Sequence, residues 1–123
     1  MASEKTLLEA IAKIEVDVSG VIATAIVDLE SGMTLAAKSN RPDFDLAVAS
    51  AYNSELVKQK LKIMKALNLK STLEDMVLTL SDQIHVIRIL PGGGSFLYLA
   101  ADRGATNLAI LRTSVAKHTV GLD

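Results

Sequence analysis

The side chains able to do chemistry are few and widely spaced. The chain has no cysteine and two histidines, His85 and His118. Without thiols there is no thiolate nucleophile, no disulfide framework and no cysteine-based metal site. The histidines fall in neither H-x-x-x-H nor H-E-x-x-H spacing, so no metal site is expected. His85 sits between Ile84 and Val86 in an apolar run. A half-buried or surface strand residue accounts for it, because general-base work needs a Ser or carboxylate frame that is missing. Glu74 and Asp75 are adjacent in a strand-like run, so they point to opposite faces and cannot act as a carboxylate pair. Pro91-Gly-Gly-Gly-Ser95 offers the glycines of an anion cradle. It lacks the Gly-Lys-Ser/Thr ending of a P-loop and leads into a strand, where no helix N-terminus is available. A flexible hairpin loop explains it. No G-x-G-x-x-G follows the first strand, which leaves a nucleotide cofactor unsupported. These residues predict no catalytic residue, no cofactor and no metal: the protein is expected to bind rather than react.

Composition narrows the partners. At 123 residues and about 150 per domain, the whole chain, residues 1–123, is expected to be a single domain. Half the residues are hydrophobic and 22% charged, with 13 Lys+Arg against 14 Asp+Glu, a globular balance without the basic excess of a nucleic-acid footprint. Aromatic residues make up only 3%, so base stacking is poorly supplied and the core must be aliphatic. The first residues, Met1-Ala-Ser-Glu-Lys-Thr-Leu-Leu-Glu, have no apolar signal region, which with the absent cysteines favours the cytoplasm. The most apolar run, Val21 to Val27, is too short to span a bilayer and reads as a buried strand.

The elements that would position a binding surface follow from periodicity. Leu7, Leu8, Ile11 and Ile14 recur at helical spacing, giving a first helix over about residues 4 to 16, with Thr6 and Glu9 as a candidate capping box. Gly20 opens the strand 21–27. The turn Asp28-Leu-Glu-Ser-Gly32 then leads to a strand over 33–38, with Gly32 expected at positive φ. Ser39-Asn-Arg-Pro-Asp43 is a loop, after which Asp43 or Asp45 caps a long second helix over about 45 to 68. Strands over 72–80, 84–90 and 96–101 follow as an antiparallel meander, and Thr106 or Asn107 caps a last helix carrying Leu108, Leu111, Val115 and Ala116. The order α-β-β-α-β-β-β-α predicts an α/β sandwich, of the α+β kind.

The second helix carries the most information. Its apolar residues Leu46, Ala49, Tyr52, Leu56, Val57, Leu61, Ile63, Met64 and Leu67 cover an arc of roughly 180°, where a helix that only covers a sheet needs about 100°. Val48, near its start, widens the apolar surface. Ser54, Glu55, Lys58, Gln59, Lys62 and Lys65 fill the other half, while Asn53 and Lys60 project into the apolar arc. The excess asks for a second packing surface, and a symmetry-related copy is economical; helix one or helix three packing beside it on the same sheet face is the alternative. In such a seam Asn53 and Lys60 would set register at some cost in stability. The run 72–80 points the same way: Met76, Leu78 and Leu80 line one face, Leu73 and Val77 the other, a hazard at a sheet edge unless paired. Lys58, Lys60, Lys62, Lys65 and Lys70 make the helix end basic. A solvated face complementing the helix dipole is the plain reading; an acidic partner or an anionic membrane surface is the sharper one.

Gly20-Val-Ile-Ala-Thr-Ala-Ile-Val-Asp28, the Val-Asp-x-x-Ser-Gly turn at Val27 to Gly32, the long helix, three strands, and Asp102-Arg-Gly-Ala-Thr-Asn-Leu-Ala-Ile-Leu-Arg112 together resemble the roadblock/LC7 family over nearly the whole chain. The third helix makes the likeness closer to the bacterial and archaeal members, similar to GTPase-activating polarity proteins, than to the shorter dynein light chains. The resemblance implies a five-stranded antiparallel sheet with the long second helix on one face and helices one and three on the other. It also implies a homodimer in which second helices pack together and third strands pair into a ten-stranded sheet. The seam would then hold Val48, Ala49, Tyr52, Asn53, Leu56, Lys60, Met76, Val77 and Leu78. Members of the family serve as dimeric platforms for small Ras-like GTPases, reorganising the partner's own catalytic residues where they activate it. The partner would lie against the paired helices, with Glu55, Lys58, Gln59 and Lys62 as contacts. The alternative is a dimerisation scaffold or adaptor for a kinase, signalling or motor complex.

Overall fold

Ser3 opens the first helix: its Oγ accepts from the Thr6 backbone N–H at 3.2 Å. The expected capping box one turn later is therefore corrected, since Thr6 is already inside the helix and its N–H is the one being capped. The computed structural model describes residues 2–122. Helix α1 runs Glu4–Asp17, and strands β1 (Val21–Asp28) and β2 (Thr34–Ser39) form the first hairpin. Helix α2 (Leu46–Ala66), the meander β3 (Asp75–Thr79), β4 (Gln83–Ile89) and β5 (Ser95–Asp102), and helix α3 (Leu108–Thr119) complete the order read from the sequence.

The hairpin turn forms as its residues demand. Asp28 Oδ2 accepts from the Ser31 N–H at 3.0 Å and from its hydroxyl at 2.6 Å. These bonds hold the Asp28 carboxyl below its usual range. Gly32 takes φ +73°, and a Cβ there would meet Ser54 Oγ of α2 at 2.9 Å. Glycine is required twice over, for its backbone angle and for the close approach of turn to helix. Asp45 caps α2 by accepting from the Val48 N–H at 3.1 Å, and Asn107 caps α3 through the Ile110 N–H at 3.0 Å.

The five strands form one antiparallel sheet in the order β2-β1-β5-β4-β3. Helix α2 lies over β1 and β2 on one face, while α1 and α3 pack together on the other. The two faces build two cores. Leu7, Ile11, Ile14, Leu111 and Val115 meet Ile26, Val86, Leu97 and Leu99 on the α1–α3 side. Val57 of α2 joins Ala25, Val27, Ile87, Phe96 and Tyr98 on the other. Each fully buried aliphatic side chain contributes about 1.5–3 kcal/mol, and the central β5 is buried along all but its last residue.

β3 is shorter than the expected 72–80. Residues 72–74 lie outside the strand, although the Ile89 N–H still donates to the Glu74 carbonyl at 3.0 Å. Leu73, expected to face away from Met76 and Leu78, packs in the same cluster as they do. The alternation does not reach it, because it precedes the regular strand.

Candidate functional site

Helix α2 is amphipathic twice. Its inner face, Ser50, Ser54, Val57 and Met64, is buried against the hairpin and sheet. Its outer face presents Val48, Tyr52, Leu56 and Ile63, of which Tyr52 is 74% and Val48 51% exposed. These four fall within about 100° of the helix circumference. The apolar arc read from the sequence is thus two surfaces: Val57 and Met64 complete the chain's own core, and the strip from Val48 to Ile63 is left uncovered.

Ser54 is corrected from the solvated half to the interior, where it is 2% exposed. Its hydroxyl donates to the Ala51 carbonyl one turn back at 2.7 Å, so the polar atom is satisfied within the helix. Ser50 likewise meets Thr34 Oγ1 at 3.0 Å. Small hydroxyl residues are what let the hairpin approach α2 closely, a signal the polar character of serine hides.

Ala49 and Asn53 are half-buried on the flank of α2, and Lys60 is exposed. Asn53 approaches the Tyr98 phenol of the same chain. That phenol is pushed up to about 12 by burial, which the Asn53 side chain opposes. Its Oη also lies 3.2 Å from His85 Nδ1, and His85 Nε2 lies 2.7 Å from Gln83 Oε1. Because a glutamine Oε1 only accepts, this arrangement assigns the ring proton to Nε2 and makes Nδ1 the acceptor from tyrosine. Phe44 stacks on Tyr98 at 6.5 Å.

The edge strand β3 adds Met76, Val77 and Leu78, all half-buried. Met76 and Leu78 share the α2-side core, whereas Val77 packs on the α1–α3 side. Its register with β4 is unbroken from Asp75 to Thr79. The other edge differs: β2 carries a bulge beside Val27 and has Lys38 bound to Glu15 at 2.9 Å, both features that blunt an edge. Arg112 of α3 grips Asp75 with two hydrogen bonds of 3.1 Å each, so α3 braces the open edge. Sequence reading singles out Arg112 only as part of a pattern; its partner lies 37 residues away and could not be seen.

The polar strip beside the apolar one carries Glu55, Lys58, Gln59 and Lys62. Lys58 is half engaged: its Nζ donates to the Glu30 carbonyl at 2.8 Å and lies 3.6 Å from Glu55. Glu55, Gln59 and Lys62 are exposed. Among the described residues no group of three or more His, Asp or Glu could hold a metal, and no helix is long and apolar enough to cross a membrane.

No family model and no curated protein matches the sequence. Solved structures do match in shape. The gliding protein MglB of Thermus thermophilus is 15% identical, with a TM-score of 0.83 over 99% of this chain and 89% of that one. A structure titled MglB with tetrameric arrangement is similar at 15% identity and 0.83, covering 99% of this chain and 88% of that one. A roadblock/LC7 domain from Streptomyces avermitilis gives 17% identity and 0.75, over 88% and 87%. The order of elements, the sheet topology and these likenesses agree: the chain has the roadblock/LC7 fold.

Proposed function

We propose that the chain is a homodimeric roadblock-type binding protein that regulates or scaffolds a small Ras-like GTPase, with no catalytic residue of its own. The observation that carries this reading is the uncovered strip Val48, Tyr52, Leu56 and Ile63 on α2, outside a core the chain completes by itself. A second copy covers it. The seam takes Val48, Ala49, Tyr52, Asn53, Leu56 and Lys60 from each α2, and Met76, Val77 and Leu78 from the paired β3 edges. Strand β3 favours this: its register is regular, it carries neither lysine nor proline, and Arg112 holds it from behind. An MglB solved in a tetrameric arrangement is among the similar structures, which supports self-association.

The GTPase reading rests on the roadblock/LC7 resemblance together with the likeness to gliding-protein MglB. The partner lies along the paired helices, on Glu55, Gln59 and Lys62, with Lys58 tying the first hairpin turn to the same surface. A platform of this kind acts by holding the partner's loops in one of their arrangements, so it shifts hydrolysis or exchange through differential affinity for nucleotide states. The work is done in the cytoplasm.

Light scattering tests this on the purified protein, alone and mixed with a small Ras-like GTPase encoded beside it, in its GDP and GTP-analogue forms. The expected mass alone is twice 13.1 kDa, rising with one nucleotide form. A dimer indifferent to the GTPase transfers the reading to a scaffold or adaptor for a kinase, signalling or motor complex. A monomer overturns both.

A further inference from the structure

From residue 56 to residue 73, the second half of α2 and the loop beyond it, the chain has five lysines and no Asp or Glu, although its net charge is -1. Lys58 is occupied by the Glu30 backbone carbonyl and the Glu55 carboxylate. Among the described residues, Lys60, Lys62, Lys65 and Lys70 are exposed and form no ion pair. One cation in the last turn is enough to complement a helix dipole; with Lys60 in the proposed seam and Lys62 on the proposed partner surface, Lys65 and Lys70 remain at the tip as neighbouring unpaired like charges that ask for a counter-charge.

The same end of the helix presents apolar tips. Asn68 takes φ 55°. Its N–H donates to the Lys65 carbonyl and the Leu69 N–H to the Met64 carbonyl, each at 3.0 Å, closing a Schellman turn. Leu67 is 63% and Leu69 48% exposed, flanked in sequence by Lys65 and Lys70.

We propose that this tip of α2 docks on an anionic lipid surface, with Lys65 and Lys70 among the headgroups and Leu67 and Leu69 at the acyl boundary. Exposed lysines next to exposed leucines are what such surfaces attract. The cations are all lysines. A lysine is a point charge on a flexible stem, suited to a fluid array of anions, whereas fixed carboxylates on a protein favour the planar fork of arginine. The contact is peripheral, and Lys65, Leu67, Leu69 and Lys70 all lie C-terminal to the seam residue Lys60 and the GTPase contact Lys62 proposed above, so the two readings stand or fall separately.

The test is co-sedimentation of the full chain with vesicles of phosphatidylcholine alone and of phosphatidylcholine mixed with phosphatidylserine, at low and high salt. Binding is expected only to the mixed vesicles, and only at low salt. Lys65→Glu with Lys70→Glu is expected to weaken it at least about tenfold. Leu67→Ser with Leu69→Ser is expected to weaken it while leaving the salt dependence. Should the charge reversals disturb folding by circular dichroism, Lys65→Gln with Lys70→Gln replaces them. Failure to sediment with the mixed vesicles, or sedimentation unchanged in both double variants, overturns the proposal. Binding to soluble polyglutamate without binding to vesicles overturns it in favour of an acidic protein partner. The same variants keep the solution mass and the response to a GTPase, which separates this result from the preceding one.

Discussion

At the residue scale, His85 couples the sheet face under α2 to pH. Its ring stands edge-on to Tyr98 with centroids 5.4 Å apart, and burial lowers its pKa below the ordinary value of 6.5, Asp82 opposing. The fold thus favours the neutral ring. As pH falls through 6.5 the unfolded chain takes up a proton that the folded chain refuses, so stability is lost on acidification and is unaffected above that point. Asp17 and Asp28 act elsewhere: hydrogen bonds from His118 and Ser31 respectively lower both pKa values below 3.8. Their stabilisation is present above that value and lost only at more acid pH. We expect the melting temperature to fall between about pH 7.5 and about pH 5.5, and to fall less in His85→Gln. Equal acid losses in both proteins would contradict this. The sequence left His85 as a half-buried or a surface strand residue, and in β4 it is half-buried. Its link to Gln83 was within reach of strand alternation, but its link to Tyr98, and that of Tyr98 to Asn53, were not, since they depend on the pairing of β4 with β5 and on where α2 crosses.

At the element scale, α2 is where sequence reading and structure part in an instructive way. Periodicity measures the width of an apolar arc but not how it is divided, because a core and an interface are apolar for the same reason. Position in the fold supplies the division: Val57 is fully buried, while its neighbour Leu56 is 37% exposed. Serine misleads for a related reason. Polarity alone assigns Ser54 to water, yet the turn comes so near that a Cβ on Gly32 would meet Ser54 Oγ at 2.9 Å, an approach that needs a small side chain on α2. The division makes a sharp prediction. Val57→Asp buries an unpaired charge in the intramolecular core, costs several kcal/mol and unfolds a domain of ordinary stability. Leu56→Asp leaves the protomer folded and halves the solution mass. Circular dichroism with light scattering reads both, and a Leu56→Asp protein that kept its dimer mass would move the seam off this strip.

At the scale of the whole molecule, topology was legible because each strand and helix has its own local signal, from the hairpin turn at Asp28 to the cap at Asn107, and the order of elements leaves few ways to close a sheet. Assembly is written less locally. The apolar strip on α2 and the regular β3 edge are the surfaces a second copy would cover. If a second copy covers them, unfolding and dissociation are one equilibrium, and stability depends on concentration. Each tenfold dilution then costs about 1.4 kcal/mol per dimer. For a cooperative unit of about 250 residues that lowers the melting temperature by roughly 3–5 °C. Scanning calorimetry across a hundredfold range of concentration measures the slope directly. A midpoint that stays fixed across that range, with a solution mass of 13.1 kDa, would mean that Tyr52 and Leu56 face water in the native state. In that event a different partner, not a second copy, would have to account for them.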